Sequence, residues 1–172
     1  GIRSLIENKR YIGVIEYLDS IEKMDALKIV VRSNNEIVNA ILNSKINEFP
    51  NIKFLIQTQF KDFILSMTET VIILGNSIDN AIEAVNKLGE GKRQIYINLS
   101  ENNQFLKIVI ENEYIGNLPY LGNMLLSSKG KNRNGFGLEN IKQVVDSHHG
   151  KMEINTTNQR FKLVIILEKQ VY

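Results

Sequence analysis

The chain has 172 residues, no cysteine, and 21 basic residues against 19 acidic ones for a net charge of +2. Disulfides and thiolate metal sites are excluded, and a charge this balanced does not argue for a nucleic-acid partner. No apolar run approaches the roughly 20 residues of a membrane-spanning helix, no signal-peptide pattern opens the chain, and the length suffices for a sizeable core.

In chain order, residues 1–49 read as helical. Leu5, Ile6, Ile12, Ile15, Leu18 and Ile21 form one apolar stripe. After a turn near 23–25, a second helix carries Ile29, Val30, Ile37, Val38, Ile41, Leu42 and Ile46. Two helices on a short connection make an antiparallel hairpin with a face left to cover, and pairing of two hairpins into a four-helix bundle covers it. Past Pro50 the period changes. Residues 52–60 read as a strand, 67–88 as a long helix, and 94–100 and 105–111 as two alternating strands. Residues 113–136 carry Gly116, Pro119, Gly122, Gly130 and Gly135 with little periodicity, as a functional or mobile loop would. A helix over 138–147 and a closing hairpin of 151–157 with 161–167 complete the pattern. Helices over one face of a mixed, mostly antiparallel sheet make an α+β domain of residues 50–172, preceded by the hairpin of residues 1–49.

The helix over 70–88 carries chemistry on one face. At 3.6 residues per turn, Asn76, Asn80, Glu83 and Lys87 fall within about 60° of one another, opposite a stripe of Leu74, Ile78, Ala81, Val85 and Leu88. A solvated face on an ordinary amphipathic helix also fits this pattern. Against it, asparagine is a mediocre helix former, and Ile72 and Ile73 flank the polar row, so something covers the first turns of this face. An amide oxygen is a neutral, hard ligand suited to Mg²⁺, which keeps waters and substrate phosphates about it.

NSIDNAIEA (76–84) resembles the N box of the GHKL superfamily, which joins gyrases, a chaperone family, histidine kinases and mismatch-repair proteins. The resemblance implies that Asn80 coordinates the Mg²⁺ of bound ATP. It places Asn76 where hydrolases of the superfamily carry a glutamate that activates water. An amide is no general base, so Asn76 favours phosphoryl transfer over hydrolysis. Further on, NGFGLENIKQVVDSHHGKMEI (134–154) resembles the second glycine box, with Gly135, Gly137 and Leu138 at the start of a helix. Glycines there let backbone amides approach phosphate oxygens, and the helix N-terminus adds partial positive charge. Ser127, Ser128 and Lys129 match an element of the kinase ATP lid; Lys131 and Arg133 follow it. The first glycine box departs from the family pattern. Asn112 stands where an aspartate normally accepts from the adenine amino group, and one glycine is absent, which leaves Glu111 and Glu113 as alternatives.

The implied fold is the two-layer GHKL (Bergerat) sandwich, and the implied activity is that of a sensor histidine kinase using ATP and Mg²⁺. Its implied partners are a second copy through the hairpin and a response regulator, with a membrane sensor segment upstream of this cytoplasmic region. Asn112, the N-box sequence, the short lid and LNSKINE (42–48) are similar to the AgrC-like branch of quorum-sensing peptide receptors. Residues 1–21 hold no histidine, and His148 and His149 sit beside Gly150 at a helix end, where they suit the helix dipole better than nucleophilic work. The expectation is a chain that starts downstream of its phosphoacceptor and binds ATP without phosphorylating itself. The competing reading is a nucleotide-independent dimerisation scaffold whose site has degenerated, favoured only by the altered first glycine box.

Overall fold

The computed structural model describes residues 30–118, 120, 121, 124, 125 and 137–170. The first expected helix, over residues 1–21, lies outside the described residues. The second begins at Glu36 rather than near Ile29. Helix α1 spans Glu36–Glu48, and Asn35 caps it by accepting a hydrogen bond from the Val38 backbone N–H. Residues 30–33 are not helical, because α1's own side chains bind their backbone groups.

Strand β1 (Lys53–Gln59) follows. The expected long helix is built in three parts: α2 (Met67–Thr70), a π-helical stretch (Val71–Gly75) and α3 (Asn76–Val85). It starts on a capping box in which the Ser66 hydroxyl accepts from the Glu69 N–H and the Glu69 carboxylate accepts from the Ser66 N–H. It ends at Val85 rather than Leu88, and Leu88 N–H closes a turn onto the Val85 carbonyl. Strands β2 (Gln94–Glu101) and β3 (Phe105–Glu113) form the expected hairpin. Within the stretch expected to be a loop, two short strands, β4 (Tyr120–Leu121) and β5 (Met124–Leu125), pair antiparallel. Helix α4 (Gly137–Ser147) and strands β6 (Lys151–Asn155) and β7 (Arg160–Glu168) close the chain.

The main sheet runs β1-β2-β3-β7-β6, parallel between β1 and β2 and antiparallel elsewhere. Strand alternation turns Ile95, Ile97 and Leu99, then Leu106, Ile108 and Ile110, then Leu163, Ile165 and Leu167 toward the helices, each no more than 1% exposed. Full burial of each side chain contributes roughly 1.5–3 kcal/mol. Ile78, Ile82 and Val85 of α3 and Ile141, Val144 and Val145 of α4 cover that face. The α+β architecture expected from the pattern is therefore present. Val38, Ile41 and Leu42 of α1 belong to the same core cluster. The change of period at Pro50 thus separates two kinds of local structure within one continuous core.

Candidate functional site

The helix that carries Asn76 and Asn80 is out of ordinary α register in the turn before them. In the π-helical stretch Val71–Gly75, Ile72, Ile73, Leu74 and Gly75 are all buried. A fixed 100° per residue placed Ile72 and Ile73 beside the polar row; the π turn rotates them into the core, and α1 packs over this stretch. Two side chains bind back to the carbonyls of the stretch: Asn76 Nδ2 donates to Ile72 O at 2.7 Å, and Ser77 Oγ donates to Ile73 O at 2.6 Å. The Asn76 amide is thereby fixed, with its nitrogen bound and its Oδ1 on the side of Gly137.

Gly137, the first residue of α4, lies directly against this face. A Cβ at Gly137 would sit 3.4 Å from Asn76 Oδ1 and 3.6 Å from Asn80 Nδ2. The helix carrying Asn76 and Asn80 and the start of α4 therefore meet, with a glycine where a side chain would fill the junction. The first-turn N–H groups of α4 have no intrahelical acceptor and carry the positive end of its dipole. Asn80 is half-buried, and among the described residues its amide has no hydrogen-bond partner. A half-buried polar group without a protein partner, beside a helix N-terminus, is open to water or to a ligand. No cluster of three acidic or histidine side chains lies among the described residues. A single neutral amide holds a divalent ion weakly by itself, so the donor set fits an ion that arrives with phosphate oxygens around it.

Glu83 is half-buried one turn beyond Asn80. Lys87 lies past α3, which ends at Val85, and is exposed in the turn that follows. Leu138 is half-buried and packs against the core. Ser128, Lys129 and Gly135 lie outside the described residues.

Asn112 ends the helix-facing column of β3, paired with Ile95 on one side and Phe161 on the other, and is 4% exposed. Its Nδ2 donates to the Glu113 carbonyl at 3.0 Å, and among the described residues Oδ1 has no donor. Glu111, by contrast, alternates onto the other face of the sheet, where it pairs with Arg160 at 2.9 Å and Lys162 at 3.6 Å. Glu113 lies 3.8 Å from Arg160. Of the three candidates for reading a base, only Asn112 shares the side of the sheet that holds Asn76 and Asn80.

His148 does more than end a helix. Its Nε2 lies 2.9 Å from Glu69 Oε1, tying the end of α4 to the start of α2. Burial alone would raise the Glu69 carboxyl, but the Ser66 N–H, the His148 ring and the Ser66 hydroxyl together hold it below its ordinary value. Two further residues escaped the sequence reading. Lys45 of α1 is 2.8 Å from Asp79, the neighbour of Asn80, and the Asn43 side chain is 1% exposed and fully engaged with backbone groups. The signal for Asn43 was a four-residue repeat of asparagine at 35, 39, 43 and 47; Lys45 had none.

The family model of the GHKL domain matches residues 65–168. A relative from Halalkalibacterium halodurans, described as a probable C4-dicarboxylate sensor kinase, is 23% identical over 166 residues, covering 91% of this chain and 31% of the relative. The chain thus spans less than a third of that protein's length. Among solved structures, the catalytic domain of the histidine kinase ThkA superposes with a TM-score of 0.60 at 22% identity, over 78% of this chain and 91% of that one. The mycobacterial sensor histidine kinase MprB gives 0.58 at 17% identity, over 80% and 96%. At these identities the likeness is one of fold.

Proposed function

The chain belongs to the GHKL domain family, and on that footing we propose that it is the ATP-binding catalytic domain of a two-component sensor histidine kinase. The observation that carries this reading is the junction of Asn76, Asn80 and Gly137, with the Asn80 amide free of any partner among the described residues. In this reading Asn80 contributes an oxygen to the Mg²⁺ that accompanies the phosphates. The N-terminus of α4 faces their negative charge, and Gly137 keeps the approach open. Glu83 borders the same face. Asn112 accepts from the amino group of adenine through Oδ1, and Ser128, Lys129 and Gly135 close over the phosphates. Lys87, exposed beyond the helix, is left out of this set.

The transfer step asks for positioning and charge stabilisation rather than a base. Asn76 suits that: its nitrogen is bound to the Ile72 carbonyl, and an amide takes up no proton from water. The acceptor is a histidine other than His148, which is bound to Glu69 at the opposite end of α4 from Gly137, roughly 16 Å away along an eleven-residue helix. From that histidine the phosphoryl group passes to an aspartate of a response regulator. Dimerisation belongs to the hairpin expected over residues 1–49, and a membrane sensor to the full-length protein. The finer assignment to the peptide-pheromone branch is supported by Asn112 and the N-box sequence. The dicarboxylate sensor among the relatives supports a sensor kinase without favouring that branch.

Calorimetric titration with a non-hydrolysable ATP analogue and Mg²⁺ tests the reading. Binding that Asn80→Ala removes supports it; wild-type protein that takes up no heat supports a scaffold instead.

A further inference from the structure

We propose that residues 30–33 form a strap, fastened to α1 by two side-chain amides, through which the chain upstream of Val30 acts on the nucleotide site. Asn43 Oδ1 accepts from the backbone N–H of Val30 and of Val31, both at 2.8 Å, and its Nδ2 donates to Val31 O at 2.9 Å. One helical turn earlier, Asn39 Oδ1 accepts from Ser33 N–H at 2.7 Å and from Ser33 Oγ at 2.6 Å, while Nδ2 donates to Ser33 O at 3.0 Å. Alternate residues, Val31 and Ser33, thus each give both backbone groups to one amide, as they would to a neighbouring strand. The match is geometric. Four residues of helix rise about 6 Å, and two residues of extended chain rise about 6.7 Å.

Hydrogen bonds and one core side chain hold the strap: Val30 is 53% exposed, whereas Val31 is 7% exposed and joins the core cluster. A cavity of about 450 Å³, lined by Val30, Val31, Ile46, Phe54 and Ile56, separates the strap from the edge strand β1. A segment held at one face by two amides detaches as a unit, with Asn39 and Asn43 losing their partners together. What it is fastened to leads to the site. On the same helix Lys45 pairs with Asp79, next to Asn80, and α1 packs on the π-helical stretch that sets the orientation of Asn76. A pull on the chain before Val30 is therefore delivered to the two asparagines of the site. The coupling half of this proposal rests on the reading of that site as a nucleotide site.

Amide hydrogen exchange at Val31 and Ser33, measured on the whole chain with and without ATP analogue and Mg²⁺, tests it. Both amides are expected to be protected, and nucleotide should slow their exchange further. Asn39→Ala should release both amides and weaken nucleotide binding about five-fold or more, a coupling that must be reciprocal. Asn43→Ala should do the same more strongly; because it strips partners from buried groups, the part-buried Asn39 is the variant that decides if it fails to fold. In a Lys45→Met background the strap should stay protected while Asn39→Ala loses its effect on affinity. Free exchange of Val31 and Ser33 in the wild type overturns the strap, and released amides with unchanged affinity overturn the coupling. A wild type that binds no nucleotide overturns the site reading and the coupling with it, while exchange at the two amides still decides the strap.

Discussion

Two helices of this domain each present a pair of asparagines four residues apart, and the two pairs are in opposite states. On α1, Asn39 and Asn43 spend their amides on the backbone of residues 30–33. On α3, Asn76 commits only its nitrogen, and Asn80 has no partner among the described residues. Identical spacing on a helix therefore says little about purpose. Saturation marks the pair that holds the fold, and on the proposed reading the open acceptor beside a helix N-terminus belongs to the pair that takes the nucleotide.

Substitution should separate the pairs cleanly. Asn43→Ala orphans the N–H groups of Val30 and Val31 and is expected to lower stability by about 3 kcal/mol in urea unfolding, since each unpaired buried group costs about 1–3 kcal/mol. Asn80→Ala should change stability by less than about 0.5 kcal/mol, yet weaken ATP–Mg²⁺ binding at least about a hundred-fold, or about 2.7 kcal/mol. An Asn80 variant that unfolds early would erase the distinction between the two helices.

The same division appears between two glycines. A Cβ at Gly150 would lie 2.7 Å from the Ile166 carbonyl and 2.6 Å from Leu167 Cδ2, so the backbone of β7 would have to move. Gly150→Ala is expected to lower stability by about 2 kcal/mol through overpacking and to leave nucleotide affinity nearly unchanged. A Cβ at Gly137 meets only ordinary contacts, but it occupies the space between the asparagines and the start of α4. Gly137→Ala should fold normally and lose about ten-fold in affinity, close to 1.4 kcal/mol. Thermal melts and calorimetry on both variants check the pair.

The sheet was legible because alternation in β2, β3 and β7 leaves one reading for each run, with the inward residues apolar except Asn112 at the end of β3. The helix start at Glu36 was not. Apolar periodicity continues back through Val30 and Ile29, and what ends the helix is the competing hydrogen-bonding of Asn39 and Asn43, a tertiary effect that a stripe of apolar residues does not register. The Asn76–Asn80 face was legible from spacing and from resemblance together; Gly137's place against it follows from the glycine box. The helix was read as far as Leu88 because ideal periodicity carries past Val85, where the chain turns. The choice of Asn112 over its two acidic neighbours needed the sheet, since only pairing with Ile95 and Phe161 shows which face each residue takes.

The smallest effect concerns the link between the far ends of the two site helices. Glu69 opens the first and His148 closes the second, and the carboxyl is held below its ordinary value of 4.5 against the opposing pull of burial. A carboxyl whose pKa is lowered on folding stabilises the fold above its unfolded pKa, and that contribution disappears as pH falls through the lower folded value. Wild-type stability should therefore decline more steeply than that of Glu69→Gln as pH is taken down from about 4.5, by about 0.5 kcal/mol or less for a partly solvated pair. His148→Ala should remove part of this difference and not all of it, because the Ser66 N–H and hydroxyl still bind the carboxylate. Urea unfolding at stepped pH resolves the slopes. Equal slopes in all three proteins would show that this link, unlike Asn39 and Asn43, contributes no hydrogen-bond energy to the fold.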